Sequence, residues 1–153
     1  MLQNRTMQAC SVIPELVYDD VAEAIDWLSG AFGFTERWRA GGHRAQMRVG
    51  DCAIVLTESR TGVRWRDQPD ATELRTPRAD EFSQAVLVRI EDVDAHHQRV
   101  LAAGAKILHE PTDYPYGERQ YSVMDLAGHR WCFTQSIADL APEDWGGTSA
   151  ELD

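Results

Sequence analysis

Hydrophobic and polar positions along the 153-residue chain repeat one pattern twice. Residues 11–18 and 83–90 are rich in β-branched and apolar residues and end at acidic pairs, Asp19-Asp20 and Glu91-Asp92, which predicts strands. Asp20 and Asp92 are suited to capping a helix start, where a carboxylate accepts from free backbone N–H groups. Val21, Ala24, Ile25, Leu28 and Phe32 then recur at helical spacing, as do Val93, His97, Val100 and Leu101, with Gly33 and Gly104 as stops. Three strands follow in each half: 34–39, 43–49 and 52–57 in the first, 105–109, 119–124 and 130–135 in the second. Gly50-Asp51 joins the last pair in the first half, and the longer Asp125-Leu126-Ala127-Gly128 in the second.

The halves also match in order. Leu16, Tyr18, Asp20 and Val21 stand 72 positions before Val88, Ile90, Asp92 and Val93. Thr57 and Ser59 stand 77 before Thr134 and Ser136. Two ordered matches favour an internal duplication. The organisation read from them is an α+β chain with pseudo-twofold symmetry: a βαβββ module over 10–59, a loop or lid over 60–82, a second βαβββ module over 83–136, and an acidic tail over 137–153. The 60–82 segment holds five arginines, Trp65 and two prolines without periodicity, the pattern of a lid, binding loop or disordered stretch.

Alternation assigns faces to the strands. Leu16, Tyr18, Ile54, Leu56, Val86, Val88, Ile90, Trp131 and Phe133 share a wholly apolar side, expected under the helices. The opposite side is mixed and suits a ligand cleft. It takes Glu15, Thr57, Arg89, Arg130 and Cys132, with Arg44, Gln46 and Arg48 from the third strand of the first module. Arg119 and Tyr121 are expected at the matching places in the second. That set makes a locally basic, aromatic-containing cleft. Glu15, its one acid, is expected to pair with Arg89 or Arg130, or to act as a base. His129 is expected to satisfy turn backbone groups. His96 and His97 are adjacent on a helix, about 100° apart, and cannot clamp one ion together.

Composition narrows the function. The net charge of −10 disfavours a nucleic-acid binder that relies on phosphate attraction, and five acids after Gln135 carry half of it. No apolar run approaches the ~20 residues of a membrane-spanning helix, so no membrane partner is expected. Cys10, Cys52 and Cys132 form no CxxC, so neither a disulfide framework nor a zinc knuckle is expected, and a reducing cytoplasm is. There is no GxSxG, P-loop or dinucleotide fingerprint.

The paired segments DDVAEAIDWLSGAFGF and EDVDAHHQRVLAAGA, with YGERQYSVMDLAGHRWCFTQ after the second, resemble the vicinal oxygen chelate superfamily of glyoxalases, bleomycin-resistance proteins and extradiol dioxygenases. The resemblance covers about residues 11–136. It implies incomplete barrels around a cleft, usually completed by dimerisation. Unpaired strand edges point the same way, toward a twofold homodimer. Metalloenzymes of the superfamily hold their ion from the first and last strands of each module; matched to this chain, those positions fall at Ile13, Val55, Ala85 and Cys132. Three of the four have no donor atom, so no metal and no other cofactor is expected there. A shifted site using Glu15, Glu58, His43 or His129 stays open.

The leading expectation is a metal-free binding protein for a small molecule, a drug or metabolite, of the glyoxalase/bleomycin-resistance type. The alternative is a divalent-metal-dependent lyase, isomerase or dioxygenase with non-standard ligands. A cofactor-free enzyme using Glu15 or Tyr121, and a dimeric regulatory protein, also remain. No catalytic residue is assigned.

Overall fold

The computed structural model describes residues 2–61 and 72–151. In chain order the elements are β1 (Glu15–Tyr18), α1 (Val21–Phe32), β2 (Thr35–Ala40), β3 (Arg44–Val49), β4 (Cys52–Glu58), β5 (Ala85–Arg89), α2 (Val93–Ala102), β6 (Lys106–Tyr114), β7 (Glu118–Met124) and β8 (Arg130–Ser136), with a 3-10 turn at Pro142–Trp145. They form two four-stranded sheets of identical plan, β1-β4-β3-β2 and β5-β8-β7-β6. In each, the first strand runs parallel to the last and the rest are antiparallel. The fold is thus α+β, two βαβββ units with open sheets. Residues 62–71, the part of the expected lid that holds Trp65, lie outside the described residues.

Both helices start where an aspartate accepts a backbone N–H: Asp20 from Glu23 and Asp92 from Ala95, each at 2.9 Å. Gly33 ends α1 in the left-handed conformation at φ 77°. A side chain there would strain the backbone and put its Cβ 2.7 Å from the Arg99 guanidinium. That guanidinium, projecting from α2, donates to Ser29 O and Gly30 O at 3.0 Å each. At the end of α1, where carbonyls run out of helical partners, the Gly33 N–H reaches Ser29 O at 3.2 Å and the other module supplies further donors.

One core joins the halves. Val21, Ala24, Ile25, Leu28, Ala31 and Phe32 bury one side of α1 against Leu16, Tyr18, Ile54 and Leu56, and the same cluster continues into Val93, Val100, Tyr121, Val123, Trp131 and Phe133. The Phe32 ring lies edge-on to Trp131 and Phe133, at 5.4 and 4.9 Å between centroids. Fully burying a residue of this size stabilises by roughly 1.5–3 kcal/mol. His129 Nε2 donates to Val17 O at 2.7 Å, so its expected turn role becomes a tie between modules. β6 extends past the expected end at His109 to Tyr114, with register shifts on both sides of His109. Pro111 is tolerated because β6 is an edge strand.

Candidate functional site

The face of the second sheet turned away from α2 carries an open cleft of about 500 Å³, lined by Leu87, Arg89, Tyr116, Glu118, Gln120, Thr134 and Ser136. Its polar groups form one chain. Glu118 accepts from the Thr134 and Ser136 hydroxyls at 2.5 Å each. Arg89 donates to Ser136 Oγ at 2.7 Å, Gln120 Nε2 to Thr134 Oγ1 at 3.1 Å, and Tyr116 OH to Gln120 Oε1 at 2.9 Å. Desolvation pushes the Glu118 carboxyl up, but the two hydroxyl donors and the Arg89 charge outweigh it and hold it below the ordinary value. The acid is therefore a carboxylate near neutral pH, with its negative charge answered by Arg89. Leu87, 61% exposed, supplies an apolar floor. Tyr116 closes one end, stacked on Tyr114 at 5.2 Å and edge-on to Trp145 at 5.7 Å. Gly117, at φ 80°, lets the chain after β8 pass close by: a Cβ there would meet Ala138 O at 2.7 Å.

Of the residues expected in a cleft, Arg89 lines this one, beside Thr134. Arg130 and Cys132 lie on the same sheet outside the lining, with Arg130 donating to Ser122 Oγ at 3.3 Å and burial pushing the Cys132 thiol up. Arg119 and Tyr121 are on the opposite side, which corrects their assignment. Tyr121 is buried among Phe133, His96 and His97, and Arg119 pairs with Asp94 of α2 and Asp113 of β6 at 2.9 and 2.8 Å. The cause is turn length. The two-residue turn at Gly50-Asp51 pairs Gln46 with Val55, so facing residues have opposite parity. Five residues separate Met124 from its partner Arg130, so Gln120 faces Thr134 and Ser122 faces Cys132 with equal parity. Counting from the first module shifted β7 by one residue, and a one-residue shift exchanges the faces of a strand. Glu118 and Gln120 were missed for the same reason.

In the first module the corresponding face is not an open cleft. Gln46, Ala53, Val55 and Thr57 are buried, and the N-terminal segment runs across their outer side. Met7 Sδ accepts from Gln46 Nε2 at 3.3 Å, Thr6 O from Trp38 Nε1 at 2.7 Å, and Asp51 O from Gln8 Nε2 at 2.9 Å. Arg37 contributes a bond to Gln46 Oε1. Residues 2–10 carry no periodic signal, so sequence patterning could not place them. Glu15 is held by Arg44 in a two-pronged pair at 2.9 and 3.2 Å, not by Arg89 or Arg130. Arg48 is exposed. With Arg44 and Arg119 in ion pairs and Arg89 opposite Glu118, the expected basic cleft is replaced by a nearly charge-balanced one.

A divalent ion of the kind the superfamily's metalloenzymes use needs about three N, O or S donors. Ile13, Val55 and Ala85 offer none. Val55 is buried in the first sheet, whereas Ala85 is exposed and Cys132 half-buried on the second. Among the described residues no three His, Cys, Asp or Glu side chains come together; the residues present do not fit such an ion. No helix of the described residues is long and apolar enough to cross a membrane.

The family model described as Glyoxalase/Bleomycin resistance protein/Dioxygenase superfamily matches residues 8–133. An uncharacterized protein of Mycobacterium bovis is 30% identical over 133 residues, covering 83% of this chain and 84% of its own. The crystal structure of TioX from Micromonospora sp. ML1 is 31% identical, covers 86% of this chain and 100% of its own, and superposes with a TM-score of 0.64. A lactoylglutathione lyase of Agrobacterium tumefaciens, 19% identical, covers 83% of this chain and 95% of its own with a TM-score of 0.60. That last likeness concerns the fold alone.

Proposed function

This chain belongs to the glyoxalase/bleomycin resistance protein/dioxygenase superfamily, and from that premise we propose that it is a metal-free binding protein for a small molecule, a drug or metabolite. The ligand lies in the cleft of the second module. The observation that carries the reading is the cleft's composition. An exposed leucine and a tyrosine sit beside a hydrogen-bond chain that leaves outward capacity on Arg89 and Gln120. Apolar area with a few fixed polar groups is the usual make-up of a small-molecule site. Because Arg89 and Glu118 balance, the fitting ligand is a flat, largely apolar molecule with neutral hydrogen-bonding groups. The hydrocarbon side chains at Ile13, Val55 and Ala85 support the metal-free reading over a metal-dependent lyase, isomerase or dioxygenase.

The working unit in this reading is a homodimer in the cytoplasm. A face with Leu87 61% exposed and a cleft open on one side invites a second copy to close it, and twofold dimers are the commonest closed oligomers. The proposed domain plan is the one given above.

The test is isothermal titration with a panel of planar natural products and antibiotics that is mixed in charge, on the parent and on Gln120→Ala and Arg89→Ala. Saturable one-to-one binding weakened by both variants supports the reading. Binding unchanged in both variants removes the ligand from this cleft, and a stoichiometric divalent ion in protein purified without a metal-affinity step overturns the metal-free part.

A further inference from the structure

Cys10 in the N-terminal segment and Cys52 at the start of β4 are brought beside each other by the segments that carry them. Cys10 Sγ donates to Val12 O at 3.4 Å, and the influence of Cys10 is felt at Cys52, whose thiol pKa it raises. The backbone on both sides holds them there. Gln8 Nε2 reaches Asp51 O, beside Cys52, at 2.9 Å. Cys10 N bonds to Gln8 O at 2.8 Å, and Val55 N to Pro14 O at 2.8 Å. Val12 and Pro14 line a shallow groove with Gly50, Asp51, Cys52 and Ala53. Both sulfurs belong to half-buried residues that small reagents can reach, and Cys132 lies on the other sheet.

We propose that Cys10 and Cys52 form a reversible disulfide that fastens the N-terminal segment over the first sheet, with a low-molecular-weight disulfide such as oxidised glutathione as the oxidant. This is independent of the ligand reading above.

The chemistry balances in two exchanges. A cysteine thiolate attacks one sulfur of the oxidant, forming a protein–glutathione mixed disulfide and expelling one glutathione thiolate. The second cysteine, deprotonated by water, attacks the protein sulfur of that bond, forming Cys10–Cys52 and expelling the second glutathione thiolate. The protein loses two electrons and two protons, and the oxidant becomes two molecules of reduced glutathione. The hydrogen bond to Cys10 is the largest influence raising the Cys52 pKa, and burial adds to it. Cys10 is thus the first attacker and Cys52 the resolving thiol.

The experiment uses the full chain, reduced, desalted without oxygen and incubated with oxidised glutathione. Intact mass should fall by two hydrogens, iodoacetamide should label Cys132 alone, and trypsin should release residues 6–37 joined to 49–60. Dithiothreitol should reverse all three. Hydrogen exchange of backbone amides in 2–14 should slow at least several-fold on oxidation, because closing the loop removes open conformations. Cys52→Ser should stop at one glutathione on Cys10. A wild-type end product still carrying glutathione, a link involving Cys132, or a disulfide between two chains would overturn the proposal. So would a Cys10–Cys52 bond that leaves exchange in 2–14 unchanged, since the fastening would then be absent. Circular dichroism matching wild type qualifies Cys52→Ser as the comparison, and Cys132→Ser should oxidise as the wild type does.

Discussion

The Tyr18 hydroxyl at the end of β1 donates to Asp125 Oδ2 in the β7–β8 turn at 2.7 Å, across 107 residues of sequence and from one module to the other. The same carboxylate accepts from Trp131 Nε1, Ala127 N and His129 N, each at 3.0 Å. A buried carboxylate with four donors is satisfied, and it organises both the turn and the seam between modules. Burial first, then the adjacent negative charge and the bond to it, push the Tyr18 hydroxyl well above its ordinary pKa. Tyr18→Phe should cost about 1–3 kcal/mol, the range for leaving a buried partner short of one bond. Asp125→Ala, which strands every one of those donors, should cost more. Urea unfolding of the two variants checks the order, and equal losses would refute it.

Phe32 is 4% exposed and touches rings of both modules. Phe32→Ala should lose about 3–5 kcal/mol, the range for a large aromatic removed from a core. The unfolding transition should stay single, because the cavity opens in the core that both halves share. A variant that splits into two transitions would show that the modules have separate cores.

His96 sets a pH dependence. Its Nε2 donates to Phe32 O at 3.1 Å, and in the neutral ring Nδ1 accepts from Tyr121 OH at 2.6 Å. Desolvation first, with the Arg99 charge, lowers its pKa below 6.5 despite the Phe32 carbonyl. With the native value depressed, the contribution is fully present above about pH 6.5 and is lost as pH falls through the native pKa, because the unfolded chain takes the proton first. The melting temperature should therefore decline from pH 6.5 toward 5, and His96→Gln should flatten that part of the profile. An unchanged slope in the variant would assign it to other groups.

Leu87→Glu tests assembly. A carboxylate on this exposed face should convert a dimer to a monomer at micromolar concentration while leaving the melting temperature of the monomer within a few degrees, as a surface change of about ±0.5 kcal/mol allows. Sedimentation velocity reads the result. A wild type that is already monomeric would remove the dimer from the proposed function.

The alternation of apolar residues and the acidic caps at Asp20 and Asp92 were enough to read both modules, because each local signal agrees with the final packing. What failed did so where a local signal gives no direction. Parity along β7 depends on the length of the turn that joins it to β8, and the turns at 50–51 and 125–129 differ in length by an odd number. Strand β6 continues through Pro111 because an edge strand needs no N–H there, a fact about neighbours. The Glu15–Arg44 pair depends on β1 lying next to β4 and β4 next to β3, which spacing alone does not state. The N-terminal segment is ordered by contacts from Trp38, Gln46 and Asp51, all distant in sequence.

The clasp of Arg99 on the end of α1 has a temporal side. During synthesis the carbonyls of Ser29 and Gly30 emerge long before Arg99, and the Phe32 ring before Trp131 and Phe133. At about 5–20 residues per second, the interval from Phe32 to Trp131 is on the order of 5–20 s. For that time the first half has neither the Arg99 clasp nor half of its core, and it waits on the ribosome, unable to commit to its final packing.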